Sequence, residues 1–153
     1  MSKITPFLWF NDQAEEAMNF YTGIFKNSKP GYLSRYTEAG PGKPGSVRVA
    51  EFELEGQRFL ALNGGPVFKF TEAISFVVNC ETQAEIDEFW EKLSAGGEPG
   101  RCGWLKDKFG VSWQIVPENL SDILGQSEHP DRVMQAIFQM DKLEIAELER
   151  AAG

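Results

Sequence analysis

The sequence predicts an α+β fold built from two βαβββ modules, the second one trimmed, followed by C-terminal helices. First, an apolar run of strand length at residues 4–10 precedes a helix pattern whose apolar residues fall at i, i+3, i+4 and i+7. Second, the same order returns about 70 residues later, after an apolar run at residues 73–80. Third, several strand-like stretches follow each helix in a row, which favours mixed or antiparallel sheets with a helix on one face.

Module one is expected to cover about residues 1–66. Asp12 and Glu15 have the spacing of a capping box, which predicts a helix start. The apolar face of this helix consists of Ala17, Phe20, Tyr21 and Ile24. Three strands are then expected at residues 32–37, 47–54 and 58–62, with a Gly/Pro-rich loop at 40–45 and a turn at Glu55-Gly56.

Module two is expected at about residues 70–118 and repeats this order. Thr82 and Glu85 form another capping box, and Gln83-Ala84-Glu85 repeats the Gln13-Ala14-Glu15 of module one. The apolar face of this helix consists of Ile86, Phe89, Trp90 and Leu93, and Gly96-Gly97 end it. Two strands are expected at residues 102–106 and 111–116, around a turn at 107–110.

A helical tail is expected at about residues 119–153. Its predicted helix starts are Asn119 or Asp122 for residues 120–124, stopped by Gly125, then Asp131, and then Asp141 with Glu144. One side of each helix is apolar, so these helices are expected to pack on the sheet or on a second subunit.

Charge and composition limit the classes of partner that the chain is expected to bind. Fifteen basic and 23 acidic residues give a formal net charge of −8, which argues against nucleic acid or an anionic membrane. No apolar run approaches the roughly 20 residues of a membrane helix, and the N-terminus lacks signal-peptide features. Cys80 and Cys102 are too few for a zinc motif and fit a reducing compartment. We therefore expect a cytoplasmic protein.

Four segments carry a resemblance to a known family: Thr5–Phe10, Ala61–Pro66, Cys102–Asp107 and Phe109–Pro117. With the duplicated module, the chain resembles the vicinal-oxygen-chelate (glyoxalase/bleomycin-resistance/dioxygenase) superfamily, and most closely its PhnB-like branch, sometimes labelled 3-demethylubiquinone-9 3-methyltransferase. The resemblance extends over nearly the whole chain, tail included. It implies one domain over residues 1–153, with strands curled around a cavity, usually completed in a homodimer. No strand, glycine loop and helix occur in the order that an S-adenosylmethionine fold needs.

The resemblance also implies four metal-binding positions, on the first and last strand of each module. They correspond here to Thr5, Ala61, Ala73 or Ser75, and Gln114, where the superfamily often has His, Glu, His and Glu or Gln. A catalytic divalent ion needs three or four imidazole or carboxylate ligands. Only Gln114 is a credible ligand, so we expect no metal and no other cofactor.

The strand faces that the resemblance turns into the cavity supply the candidate ligand-binding residues. These are Thr5, Phe7, Trp9, Ala61, Asn63, Ser75, Cys102 and Gln114. Two interpretations stay open for Gln114, which either orients a ligand through its amide or ties two strands together. Trp9 either stacks on a ligand or belongs to the core, and Asn63 either reaches the cavity mouth or serves a turn.

Charged and nucleophilic residues have alternative explanations too. Cys102 is either a nucleophile or a small buried side chain, and no histidine is near it in the sequence. Glu51 and Glu53 either supply a general base or mark the solvated face of a strand.

Three alternative functions are consistent with these observations. The first is a glyoxalase/bleomycin-resistance-like protein that binds a small molecule in an aromatic cavity without the usual metal. The second is a metal-dependent lyase, isomerase or dioxygenase of the same superfamily, which would require metal ligands that these positions lack. The third is a non-catalytic structural dimer. A homodimer is expected in each case, from the resemblance and from the strand edges that two small modules leave exposed.

Overall fold

The computed structural model describes residues 2–153. The chain divides into two compact units, unit 1 up to Phe70 and unit 2 from Thr71 to Gly153. Each unit contains a four-stranded mixed sheet, with one helix in unit 1 and four helices in unit 2, so the predicted α+β class is confirmed.

Unit 1 contains a sheet, called sheet A, and one helix. Its elements are β1 (Phe7–Phe10), α1 (Ala14–Ile24), β2 (Ser28–Arg35), β3 (Val47–Leu54) and β4 (Gln57–Asn63). The strand order is β1-β4-β3-β2. β1 runs parallel to β4, and the other pairs are antiparallel. The turn at Glu55-Gly56 is confirmed, since both residues have positive φ (48° and 80°), as two-residue hairpin turns of type I′ require.

The second strand differs from its prediction at residues 32–37. β2 starts at Ser28 and ends at Arg35, and its register with β3 is irregular between Pro30 and Leu33. Pro30 and Gly31 look like strand breakers in the sequence, but β2 is an edge strand, where a proline is tolerated.

One face of sheet A packs against α1. Tyr21 of α1 lies against Phe52, with ring centroids 6.0 Å apart, and Phe52 stacks on Phe59 at 5.5 Å. The opposite face, which we call the open face of sheet A, carries Phe7 and Trp9 because side chains alternate along a strand.

Unit 2 repeats this arrangement in sheet B. Its elements are β5 (Ser75–Cys80), α2 (Gln83–Ser94), β6 (Glu98–Pro99), β7 (Trp104–Lys106), β8 (Ser112–Pro117), α3 (Leu120–Gln126), α4 (Pro130–Phe138) and α5 (Ile145–Ala152). The strand order is β5-β8-β7-β6, with β5 parallel to β8, as β1 is to β4. The internal repeat and its trimmed second copy are thus visible in the strand order and in the short β6 and β7. The two-residue strand β6 was not predicted.

The capping box of α2 is confirmed. The Thr82 hydroxyl accepts a hydrogen bond from Glu85 N at 3.2 Å, and the Glu85 carboxylate accepts one from Glu81 N at 3.3 Å. The matching prediction for α1 is wrong, because Gln13 holds the cap position and Asp12 makes no cap. Instead the first helical N–H, from Ala14, donates to Asn63 Oδ1 at 2.8 Å.

The tail helices agree with their predictions only in part, since α3 begins at Leu120 after Asn119, as expected. α3 continues through Gly125 to Gln126, and α4 begins at Pro130 without a cap from Asp131. α5 begins at Ile145, and no capping box joins Asp141 to Glu144. A proline at the first helical position is already suited to that place, since its missing N–H has no partner there anyway.

The tail packs on sheet B within unit 2, which is one of the two predicted alternatives. Its core cluster joins Val133, Ile137, Leu143 and Leu148 to Val116 at the end of β8. No helix within residues 2–153 is long and apolar enough to cross a membrane.

Candidate functional site

The face of sheet B opposite α2 is the candidate site, and we call it the open face of sheet B. Buried Val78 and Ile115 lie on the α2 side, while Val77 on the other face is 50% exposed. The strand register places three rows of side chains on this open face. They are Ser75, Ser112, Lys106 and Glu98, then Val77, Gln114 and Trp104, and then Asn79 and Val116.

A polar group lies at the centre of these rows. Gln114 Nε2 donates to Ser75 Oγ at 2.9 Å, which joins two predicted site residues on neighbouring strands. The Ser112 hydroxyl shares this face, is 1% exposed and has no hydrogen-bond partner within residues 2–153, as is also the case for Ser34 Oγ in unit 1. A buried hydroxyl without a partner costs free energy. Alternation of side chains along the last strand predicts that Ser112 shares a face with Gln114, but no sequence pattern predicts that its hydroxyl lacks a partner.

The charge at the edge of this face is paired. Lys106 forms an ion pair with Glu72. The hydrogen bond from Lys106 lowers the pKa of the Glu72 carboxyl from its usual value, and Glu72 in turn raises the pKa of Lys106. Both groups are solvent-exposed, so the pair contributes little to stability.

Trp9 is held by structural contacts on the open face of sheet A. Its indole N–H donates to Gly65 O at 2.9 Å, and its ring meets Phe68 edge-on at 4.9 Å. A Cβ on Gly64 would lie 2.4 Å from the ring, so the glycine lets the backbone approach the indole. Phe7, its neighbour on this face, is 54% exposed.

Asn63 lies in a cleft of about 400 Å³ within unit 1, which also contains Tyr36. Its side chain caps α1 through Oδ1, and Nδ2 donates to Val47 O at 3.1 Å. The Tyr36 hydroxyl donates to the main-chain oxygen of Asn63 at 2.5 Å. The amide therefore joins a helix to the sheet, a role that neither sequence interpretation included.

Thr5 lines a second groove of unit 1, with a volume of about 290 Å³. In this groove Glu51 accepts a hydrogen bond from Arg58 at 2.8 Å, and Glu53 pairs with Lys29 at 3.2 Å. The hydrogen bond from Arg58 lowers the pKa of Glu51. A general base at neutral pH needs a raised carboxyl pKa, so these pairs favour the solvated strand face.

Ala61 lies on the other side of sheet A from Trp9. It pairs with Leu8 on β1, while Trp9 pairs with Leu62, and paired residues share a face. Ala61 is fully buried on the face covered by α1. From β4, the open face is reached by Leu60 and Leu62 instead.

Cys102 lies beside the tail. It has a left-handed φ of 61° in the turn before β7 and packs against the tail cluster. Cys80 is buried, and desolvation together with the charge of Glu85 raises the pKa of its thiol to about 12. A thiol with that pKa is not a nucleophile at neutral pH.

The positions implied for a divalent metal do not fit one. In unit 1, Ala61 has no donor atom, and in unit 2 the Gln114 amide is bound to Ser75. Within residues 2–153, no group of three or more His, Cys, Asp or Glu side chains is placed to hold a metal ion. Hydroxyl and amide groups alone are poor ligands for such an ion.

Comparison with known proteins assigns the family. The family model described as 3-demethylubiquinone-9 3-methyltransferase matches residues 2–116. The chain belongs to this PhnB-like family of the vicinal-oxygen-chelate superfamily. A PhnB protein from Bacillus cereus is 46% identical with a TM-score of 0.68, and the match covers 76% of this chain and 99% of that one. A comparison with curated proteins finds no match.

More distant structures share the fold alone. The protein PA1353 from Pseudomonas aeruginosa is 20% identical with a TM-score of 0.60, over 77% of this chain and 98% of that one. The fosfomycin resistance protein FosX from Listeria monocytogenes, complexed with Mn(II) and sulfate ion, is 17% identical with a TM-score of 0.56. That match covers 82% of this chain and 98% of FosX.

The tail does not belong to the matched segment. The family model ends at residue 116, so the expectation that the resemblance includes the tail is wrong.

The turn before β8, which joins two of the segments that carry the resemblance, is held by Asp107. The Asp107 carboxylate, 2% exposed, accepts hydrogen bonds from Phe109 N, Val111 N and Trp113 Nε1 at 2.9, 3.0 and 2.9 Å. It fixes the turn that leads into β8 and hence the position of Gln114.

Proposed function

We propose that this vicinal-oxygen-chelate protein binds a small neutral molecule on the open face of sheet B. The observation that carries the proposal is the Ser112 hydroxyl, buried and without a partner among the described residues, on the same face as the Gln114–Ser75 pair. Two hydroxyls and one amide on adjacent strands form the kind of small polar group that orients a ligand in an apolar site.

The hydrogen-bond directions indicate the ligand's chemistry. Because Gln114 Nε2 donates to Ser75, Gln114 Oε1 is placed to accept a bond from a ligand hydroxyl or amide N–H. The Ser112 hydroxyl is able both to donate and to accept. Val77 and Trp104 lie beside Gln114 in its row and offer apolar contact. An alcohol or amide head with an apolar body suits this arrangement.

Charge argues against an anionic ligand. Lys106 is the basic residue of the three rows, Glu72 already pairs with it, and Glu98 lies beside it in the same row. An anionic head group would therefore lose its hydration without gaining an unpaired basic partner on this face. The same residues favour binding without a metal, because their donors do not fit one.

A homodimer is the second part of the proposal. Phe7 and Val77 are 54% and 50% exposed on the open faces of their sheets. Burying such apolar side chains in an interface between copies lowers the free energy of association. A role of Thr5, Phe7 and Trp9 in ligand binding stays a prediction from the sequence.

The ligand proposal is tested by nuclear magnetic resonance titration with four probes of one chain length. 1-Hexanol and hexanamide have neutral heads, whereas hexanoate and hexylammonium are charged. We expect the neutral probes to bind more tightly and to shift the side-chain amide signal of Gln114. Gln114→Leu and Ser112→Ala should weaken this binding, whereas Gln135→Leu, at an exposed position of α4, should not. Equal binding of all four probes, or no effect of Gln114→Leu, would contradict the proposal.

A further inference from the structure

The tail covers one end of the open face of sheet B. Val116 follows Gln114 by two residues on this face, about 7 Å along the strand. Val116 is only 8% exposed, because it belongs to the tail's core cluster. The row beyond Gln114 is therefore occupied at β8 by the protein's own C-terminal segment.

Main-chain hydrogen bonds hold the tail at the β7 end of the same row. Cys102 N donates to Met140 O, and Gly103 N donates to Asp141 O, both at 2.8 Å. A Cβ on Gly103 would lie 3.1 Å from Leu143 Cγ, so the tail contacts this turn directly. These contacts place the tail against both β7 and β8.

A second set of contacts fixes the tail to the start of α2. The Gln83 side chain donates to Leu143 O at 3.0 Å and accepts from Ile145 N at 2.7 Å. Lys142 adds an ion pair with Asp87 at 2.7 Å. Asn79, the β5 partner of Val116, stays exposed, so the tail closes the face on one side only.

The segment that forms this closure lies beyond the family match. The family model stops at Val116, the residue on which the tail packs. The match to the Bacillus cereus protein covers 99% of that protein but only 76% of this chain. The wall at this end of the face is thus an addition to the matched fold.

We propose that residues 118–153 form one wall of the ligand site and limit the length of the apolar group that fits beside Gln114. This inference rests on the proposed function, since it assigns the wall to that same site. A ligand anchored at Gln114 meets the tail within one side-chain repeat in the direction of Val116. The tail is then a determinant of specificity as well as part of the unit 2 core.

The test measures how long a group the site admits, whether or not a natural ligand is known. Gln114→Cys is introduced into a full-length Cys102→Ala chain, in which Cys80 stays unreactive because burial raises its pKa to about 12. The rates of modification by methyl and octyl methanethiosulfonate are read by intact-protein mass spectrometry. In this chain we expect the octyl reagent to react much more slowly than the methyl reagent.

Loosening the tail should remove this difference. Leu148→Ala truncates a fully buried residue of the tail cluster, and Gln83→Ala removes both side-chain bonds to the tail. We expect the octyl-to-methyl rate ratio to rise about tenfold in Leu148→Ala, and by less in Gln83→Ala. Gln13→Ala is the matched control, because Gln13 occupies the equivalent position in module one. Its side-chain amide donates only a long hydrogen bond of 3.4 Å, to Glu16. Its ratio should not change.

Hydrogen exchange identifies which variants have an open tail and a protected sheet B. An unchanged ratio in variants whose tail is open would overturn the proposal. The cysteine reacts whether or not 1-hexanol binds at Gln114, so failure of the wall and failure of the ligand proposal are separate results.

Discussion

The buried carboxylate of Asp107 is expected to be a major determinant of stability. It accepts three hydrogen bonds, and two of the donors, Val111 N and Trp113 Nε1, are buried. A buried donor left without an acceptor costs about 1–3 kcal/mol, so Asp107→Ala should lower the free energy of unfolding by about 2–6 kcal/mol. The Phe109 N–H is only partly buried, and water replaces its acceptor at lower cost.

Asp107→Asn is the graded control. It keeps Oδ1, which accepts from Phe109 N and Val111 N, but places an amide N–H₂ opposite the Trp113 indole N–H. Only one bond is lost, so a cost of about 1–3 kcal/mol is expected. In a Trp113→Phe background, the Asn substitution should cost less, because the opposing donor is gone.

Urea unfolding followed by far-UV circular dichroism measures these differences without depending on tryptophan fluorescence. The expected order of the free energy lost is Asp107→Ala, then Asp107→Asn, then Asp107→Asn in the Trp113→Phe background. Equal costs for Ala and Asn, or a cost for Asn that Trp113→Phe leaves unchanged, would refute the hydrogen-bond explanation.

Three further predictions concern the cap of α1 and the two cysteines. Asn63→Ala should cost about 1–2 kcal/mol in thermal or urea unfolding because it removes the cap of α1, whereas Asp12→Ala should stay within about 0.5 kcal/mol; the reverse order would restore Asp12 as the cap. Iodoacetamide at neutral pH should label Cys102 and leave Cys80 unmodified until the chain unfolds. The raised pKa of Cys80, about 12 against 9.0, means that its stabilising contribution is complete below pH 9 and is lost as pH rises towards 12. The alkaline loss of stability should therefore shrink in Cys80→Ala.

Periodicity and repetition were sufficient to predict the two sheets and most of their helices. Strand β3 has the predicted bounds, Val47–Leu54, because its apolar and polar side chains alternate, and this alternation is visible in the sequence. The Thr82–Glu85 capping box is correct because all its atoms lie within one turn of chain.

Helix starts were not predictable where the cap comes from elsewhere in the chain. The partner of Ala14 N is Asn63, 49 residues away, and the partner of Ile145 N is Gln83, 62 residues away. Local spacing at Asp12 and Asp141 resembles a capping box, but the tertiary partner satisfies the N–H group first. No local pattern contains that information.

The candidate site was predictable in part. The family position indicated Gln114 and Ser75, and their contact confirms that they meet, while their role in ligand binding stays a prediction. Strand alternation put Ser112 on the same face as Gln114, but it could not predict that the Ser112 hydroxyl is buried without a partner among the described residues. Ala61 lies on the opposite face since a shift of one residue in a strand reverses the side-chain direction.

Metal-independent ligand binding is tested by native mass spectrometry with elemental analysis on protein purified without chelators. We expect a dimer without stoichiometric zinc, nickel, manganese or iron, and any organic mass that is retained should be a neutral molecule. A dimer that carries one of these metals in stoichiometric amount, and loses it in Gln114→Leu, would contradict metal-independent binding and restore the metal-dependent enzyme.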